Sequence, residues 1–257
     1  MQLPQHIVIT GASSGIGESL ARAYARAGIR IGLLGRRKDK LDAIAASLAS
    51  TGAQIWVGVV DVTQQDNLKA MLIKADEEKP IDLLIANAGI SAGTFGAGES
   101  EQQARAIFGT NLDGVLNTIH PIIPRMQNRR SGQIAIMASL AGFRGFPSAP
   151  AYCASKAAVR LYGEALRGEY AKWGIKINVI CPGYIETPMT AVNDFPMPFM
   201  MDATKAAHII VKGLARNEAR IAFPWPTAFA AWLLGVLPPS WTDPLLTKLP
   251  KKPAFKQ

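Results

Sequence analysis

Short β-branched runs alternate with longer helical patterns along most of this chain, and that alternation restricts it to one kind of sheet. His6–Thr10 (HIVIT) is the first run and stops at a glycine; 30–34, 54–60, Leu83–Ala86, 133–137 and 176–181 follow. Between them lie helical patterns at 15–27 (Ile16, Leu20, Ala23 and Ala27 on one face), 38–50, 64–79, roughly 101–128, and 151–173. Strands that are apolar along their whole length are buried on both faces, which a parallel sheet covered by helices on both sides provides. The sequence therefore predicts an α/β, doubly wound parallel β-sheet flanked by helices. Residues 1–223 contain no linker, repeat or low-complexity stretch and form one predicted domain. A Pro/Trp-rich tail, 224–257, follows it.

Composition bounds the function. The chain has 257 residues, 49% hydrophobic and 18% charged, enough for a large core. Its net charge of +9 raises nucleic acid as a partner. The basic residues are scattered, with clusters only at Arg36-Arg37-Lys38, Arg129-Arg130 and Lys251-Lys252, and no zinc-finger spacing accompanies them, so no nucleic acid is expected. Cys153 and Cys181 have no disulfide-framework spacing and are read as free thiols in a reducing compartment. Residues 1–10 lack the basic and long apolar regions of a signal peptide. The longest apolar run, 228–237, is half what a bilayer span needs. These features predict a cytoplasmic protein. His6, His120 and His208 stand apart with no ligand cluster, and no metal is expected.

In a sheet of this class, ligands meet the carboxyl ends of the strands near the point where strand order reverses. The loop after the first strand is Thr10-Gly11-Ala12-Ser13-Ser14-Gly15-Ile16-Gly17. Its glycines allow a tight turn and close approach of backbone to a pyrophosphate, which then sits on the positive end of the next helix. This is a Rossmann-type cofactor site, spaced Gly-x-x-x-Gly-x-Gly. The second strand ends at Arg36-Arg37 with no acid to repel a ribose 2′-phosphate. NADP(H) is thus preferred over NAD(H), the alternative.

Tyr152 and Lys156 are four apart on the predicted helix 151–173 and face a common site. A phenol's pKa of about 10 falls toward neutrality when an ammonium favours the phenolate. The pair has the makings of a proton donor and acceptor.

Taken with their order in the chain, these motifs resemble the short-chain dehydrogenase/reductase family, over almost the whole chain to about Phe223. Asp61-Val62 matches the family's adenine-holding pair and Asn87-Ala88-Gly89 its turn after the fourth strand. Asn111 falls at its helix asparagine, and Ser139 lies thirteen residues before Tyr152. Pro182-Gly183-Tyr184-Ile185-Glu186-Thr187 resembles its nicotinamide-contacting segment, with Pro182, Gly183, Ile185 and Thr187 the expected contacts. The resemblance implies an oxidoreductase acting on a carbonyl or secondary alcohol. By it, Ser139 hydrogen-bonds the substrate oxygen, Tyr152 exchanges the proton, Lys156 lowers the tyrosine pKa and grips the nicotinamide ribose, Asn111 holds a water linking Lys156 to solvent, and Thr187 bonds the carboxamide. A relative that kept the fold and lost the chemistry, serving as a regulatory or membrane-associated binding protein, is the competing reading. The retained Ser139, Tyr152, Lys156 and Asn111 oppose it. The larger epimerase and dehydratase relatives are disfavoured because the chain ends too early for their added substrate domain.

The tail departs from the family pattern, which often ends in a Val-Asp-Gly-Gly strand that packs a tetramer. Here 220–223 is the expected last strand, followed by seven prolines between Pro224 and Pro253. A homodimer through the long helices before and after Ser139 is expected instead. Trp225, Phe229, Trp232, Leu233, Leu234, Val236, Leu237 and Trp241, with Lys248, Lys251, Lys252 and Lys256 after them, suit a peripheral contact with the inner face of a membrane. They also suit an arm packed on this subunit, on its neighbour, or over the substrate site, and packing within the protein is the favoured reading. Met189, Val192, Phe195, Met197, Phe199, Met200 and Met201 occupy the family's substrate-lid position. They predict a lipophilic substrate, or a loop closed onto the core.

Overall fold

A computed structural model describes residues 4–94 and 98–248. Part of the glycine-rich loop expected at 87–98, and the tail residues Lys251, Lys252, Pro253 and Lys256, lie outside the described residues. In chain order the elements are β1 (His6–Thr10), α1 (Gly15–Tyr24), β2 (Arg30–Gly35), α2 (Lys38–Leu48), β3 (Gln54–Val59), α3 (Gln65–Glu78) and β4 (Leu83–Ala86). Then come α4 (Glu101–Phe108), α5 (Gly114–Ile119), α6 (Ile123–Arg129), β5 (Gly132–Met137), α7 (Pro150–Tyr170) and β6 (Ile175–Pro182). The chain continues through α8 (Ala203–Ala215), β7 (Arg220–Phe223), α9 (Trp225–Val236) and α10 (Pro239–Leu246).

The seven strands are parallel, in the order β3-β2-β1-β4-β5-β6-β7. Strand order reverses between β1 and β4, so their carboxyl ends open a crevice there. Side chains alternate across the sheet: Ile7 and Ile9 join a core with α1, α2 and α8, while Val8 joins one with α3, α5 and α7. Both cores exclude water from the central strands, so the interior positions of β1, β2 and β4 are apolar or glycine.

One expectation needs correction. The helix expected over 15–27 ends at Tyr24, because Ala25 turns to an extended conformation. The helical stretch 101–128 is four pieces. A π-helical turn, Gly109–Asp113, joins α4 to α5, and α5 stops at Ile119, ahead of Pro121, which has no N–H to continue the ladder. A second proline, Pro124, stands in the first turn of α6.

The tail folds onto the domain. Ala231 of α9 and Thr242 and Leu246 of α10 are buried. A Cβ on Gly235 would stand 2.7 Å from the Phe143 carbonyl oxygen, so α9 touches the loop just past Ser139. Among the described residues, no helix is long and apolar enough to cross a membrane.

Candidate active site

The loops after β1 and β4 are bolted together. Asn87 Nδ2 donates to the carbonyl oxygens of Thr10 (2.9 Å) and Gly11 (3.1 Å). The Thr10 hydroxyl accepts from the backbone N–H groups of Asn87 and Ala88, both at 3.1 Å. Thr10 is itself buried, so its hydroxyl holds the crevice's floor from behind. Gly11 and Gly15 have φ of +65° and +58°, the left-handed region that glycine adopts without strain. A Cβ on Gly11 would approach Ala88 Cα to 2.8 Å, and one on Gly15 would meet Thr187 Cγ2 at 2.9 Å. Gly17 is a packing glycine: its Cβ would fall 2.4 Å from the Gly11 carbonyl oxygen.

This architecture fits a dinucleotide. Ser14 precedes α1 without capping it, since its hydroxyl accepts instead from Arg37 Nη2 at 2.8 Å. Among the described residues no side chain claims the first-turn N–H groups of α1, the arrangement that receives a pyrophosphate. Arg37 also donates to Ser13 Oγ at 2.9 Å, which lays its guanidinium along the rim of the loop. Arg36 extends to within 3.5 Å of Asp61 and stays mostly exposed. Burial raises the Asp61 carboxyl, but two hydrogen bonds from Thr63 and the Arg36 charge outweigh it and hold it below the usual carboxylate range. Arg36, Arg37, Asp61 and Val62 all border one cleft, at the end where an adenosine ribose would lie.

At the other end of the same cleft stand Ser139, Tyr152 and Lys156. Three local features place them. β5 ends at Met137, and Ser139 starts a tight turn whose hydroxyl accepts from Ala141 N–H at 3.1 Å. α7 begins with Pro150, pre-set for a first helical turn, while the Glu99 carboxylate accepts from Ala151 N–H at 3.0 Å. A Cβ on Gly142 would come within 2.7 Å of the Lys156 backbone carbon, so only glycine lets the Ser139 turn lie this close to α7.

The electrostatics differ from the sequence-based expectation. Desolvation at the back of the cleft pushes the Tyr152 phenol up to about 12, against a hydrogen bond from Ser139 that lowers it. Burial pushes the Lys156 ammonium down to about 8. The Lys156 charge does not offset that burial: Nζ donates to the Met137 carbonyl oxygen, 2.8 Å away, and lies 6.0 Å from the centre of the tyrosine ring.

Asn111 lies behind the cleft, fully buried in the π-helical turn. Its Oδ1 accepts from Ile90 N–H at 2.8 Å, and its Nδ2 donates to the Ile90 carbonyl at 2.9 Å and to Ser155 Oγ at 3.1 Å. Ser155 in turn donates to the Tyr152 carbonyl at 2.8 Å. These bonds lock the loop after β4 to the helix of Tyr152.

The remaining expected contacts, Ser13, Ile16, Ala88, Gly89, Pro182, Gly183, Ile185 and Thr187, also border the cleft. Thr10, Gly17 and Asn111 support it from outside. Sequence reasoning missed Thr110 and Met137, which line it, and Gly142, which brings the Ser139 turn close to α7; Met189, expected in the substrate lid, also lines it.

A parallel sheet with a glycine-rich crevice at its switch point and a Ser, Tyr and Lys at the crevice's far end defines a dinucleotide-dependent oxidoreductase of the single-domain type. The short chain dehydrogenase family model matches residues 5–195, and this chain belongs to that family. An uncharacterized oxidoreductase of Myxococcus xanthus is 36% identical over 232 residues, 90% of this chain and 92% of the relative. One from Mycobacterium tuberculosis is 38% identical over 244 residues, covering 93% and 96%. Among solved structures, a short-chain dehydrogenase from Sphingobium yanoikuyae in complex with NADPH superposes with a TM-score of 0.81 at 26% identity, covering 99% of both chains. The bulky-bulky ketone specific alcohol dehydrogenase from Comamonas testosteroni gives 0.79 at 25% identity, covering 97% of this chain and 96% of that one.

Proposed function

We propose that this oxidoreductase transfers hydride between NADP(H) and a bulky, lipophilic carbonyl or secondary alcohol. The observation that carries the reading is the shared cleft, with Arg36 and Arg37 at one end and Ser139, Tyr152 and Lys156 at the other. Gly11, Gly15 and the start of α1 would hold the pyrophosphate, Arg36 and Arg37 the 2′-phosphate, and Thr187 the carboxamide. The bound cofactor supplies or accepts the hydride. Ser139 donates to the substrate oxygen and fixes its position. During reduction Tyr152 gives that oxygen its proton, and during oxidation it takes the proton back. A phenol pushed up to about 12 is protonated at neutral pH, the form that reduction uses. Lys156, pushed down to about 8, keeps its ammonium at pH 7 and steadies the phenolate left behind.

A lipophilic substrate is supported by the segment beyond Thr187. It is pinned at its base, where Met201 N–H donates to the Tyr184 carbonyl and Glu186 N–H to the Met201 carbonyl. Between those points Met189, Val192, Phe199 and Met200 are exposed, and Met189 borders the cleft. The specificity named for the Comamonas testosteroni relative agrees with a bulky ketone. The homodimer through α4, α5 and α7 is part of the same proposal, with Phe108 and Leu161 the exposed large apolar side chains of those helices.

The test is a panel of carbonyls read by the absorbance of NADPH. Bulky apolar ketones should turn over with the higher kcat/KM. A preference for small polar carbonyls would remove the lipophilic assignment, and oxidation of NADH at equal efficiency would remove the cofactor assignment.

A further inference from the structure

Helix α9 faces the wrong way for a helix that only packs on its own domain. Ala231 is buried, Ala228 packs against the core, and the Gly235 backbone abuts the Phe143 carbonyl. Most of its large residues meet solvent. Trp225, Phe229, Trp232, Leu233 and Val236 recur at helical spacing and are 76%, 55%, 46%, 39% and 59% exposed. On α10 the pattern repeats, with Thr242 and Leu246 inward and Trp241 and Leu245 outward at 73% and 59% exposure. Fully burying a side chain of this size is worth about 1.5–3 kcal/mol, so seven such groups in water mark a contact surface.

We propose that this face docks on an anionic lipid bilayer, lying in its interface without crossing it. Three further observations select lipid. The sequence has no charged residue between Arg220 and Asp243, so a surface dominated by α9 can enter the acyl boundary without burying an ion. Three of the exposed groups are tryptophans, whose indole N–H reaches headgroups while the ring stays apolar. Lys248 follows α10, and the sequence beyond it adds Lys251, Lys252 and Lys256 with no acid after Asp243. That charge complements anionic headgroups.

The docked face also has a route to the cleft. A Cβ on Gly183, which borders the cleft, would meet Pro224 Cδ and Thr227 Oγ1 at 3.3 Å, so the first turn of α9 forms part of the wall behind it. With α9 on the bilayer, an apolar ligand dissolved in lipid would find the cleft close to its own phase. The docking itself rests only on the exposed face and its charges, whatever the cleft reduces.

The test uses the full chain sedimented with vesicles of phosphatidylcholine alone or with a third of phosphatidylserine. Wild type should partition onto the anionic vesicles at least tenfold more strongly than onto the zwitterionic ones. Trp225→Ser, Phe229→Ser and Trp232→Ser together should cut partition at least tenfold while cooperative thermal unfolding persists. Trp241→Ser, on the other helix, should weaken it severalfold alone. Lys251→Glu with Lys252→Glu should remove the anionic preference, at about fivefold per lysine. Wild type that stays in the supernatant with both vesicles overturns the proposal. So does a triple serine variant that binds vesicles normally, or one that converts a dimer into a monomer in a wild type that ignores lipid.

Discussion

Lys156 Nζ donates to the Met137 carbonyl oxygen at 2.8 Å, which ties the lysine to the strand end that carries Ser139 two residues later. One side chain therefore joins α7, β5 and the serine turn. The same burial that secures this bond works against the charge on the ammonium, and it works against ionisation of Tyr152 one turn earlier. Both groups shift toward neutrality. The cleft is poised to hold a protonated phenol against a carbonyl, and it carries an electrostatic cost for doing so.

That cost is measurable in the protein without cofactor. Lys156 titrates near 8 in the fold and near 10.5 when unfolded, so below pH 8 its buried charge costs on the order of 3 kcal/mol. Between pH 8 and 10.5 the unfolded chain binds more protons, and this group's contribution to stability rises with pH. Tyr152, raised to about 12, contributes the opposite trend above pH 10. Lys156→Met should therefore be at least as stable as wild type at pH 7, with its relative advantage shrinking by pH 9.5, while turnover is lost. Thermal unfolding at the two pH values measures it.

Arg37 spans the rim of the glycine-rich loop through Ser13 and Ser14, whereas Arg36 stands mostly in solvent near Asp61. Charge-assisted hydrogen bonds to a phosphate contribute about 1.5–3 kcal/mol. Arg37→Ala should weaken NADPH binding by roughly tenfold to a hundredfold, with NADH affinity changed far less. Arg36→Ala should act in the same direction but less. Calorimetric titration of both cofactors separates a 2′-phosphate contact from a merely structural arginine, which would harm both equally.

Gly142 sets the distance between the serine turn and α7. Gly142→Ala puts a methyl against the Lys156 backbone, which has no free side-chain end to yield, so the turn must move. Misplacement by about 1 Å costs on the order of a hundredfold in rate. The variant should lose kcat by at least tenfold with a smaller change in NADPH affinity, in steady-state assays beside titrations.

Arg144 fixes α10 to the loop past Ser139. Its guanidinium donates to the buried Thr242 hydroxyl at 3.2 Å and to Asp243 at 2.6 Å. Arg144→Ala should loosen the tail, raise KM for bulky ketones severalfold and speed proteolysis within 225–248. Asp243→Asn should do little, because Asp243 is largely exposed and its pairing is screened. Limited proteolysis followed over time distinguishes them.

Much of this site was legible in sequence because it depends on local chain properties. A β-branched run ending at Gly11, glycines where φ is positive, and Tyr152 four residues before Lys156 each leave a mark within a few positions. The breaks in 101–128 were legible in principle through Pro121. The π-helical turn was not, since it depends on Asn111 finding Ile90 and Ser155 from distant segments. The direction of the Tyr152 shift was also hidden: an ammonium's sign is written in the sequence, but the burial that outweighs it is decided by packing. For the tail, sequence offered packing or membrane as alternatives. The fold buries Ala231 and turns Trp225, Phe229, Trp232 and Val236 to solvent, a division that only the helix's orientation reveals.

The central claim is tested most directly by Tyr152→Phe, which removes one oxygen and leaves the ring in place. With NADPH and the best ketone of the panel, turnover should fall by about a hundredfold or more, while the NADPH dissociation constant stays within about twofold of wild type, because the cofactor's binding groups are untouched. Turnover within a few fold of wild type would contradict the account, since another group would then be supplying the proton.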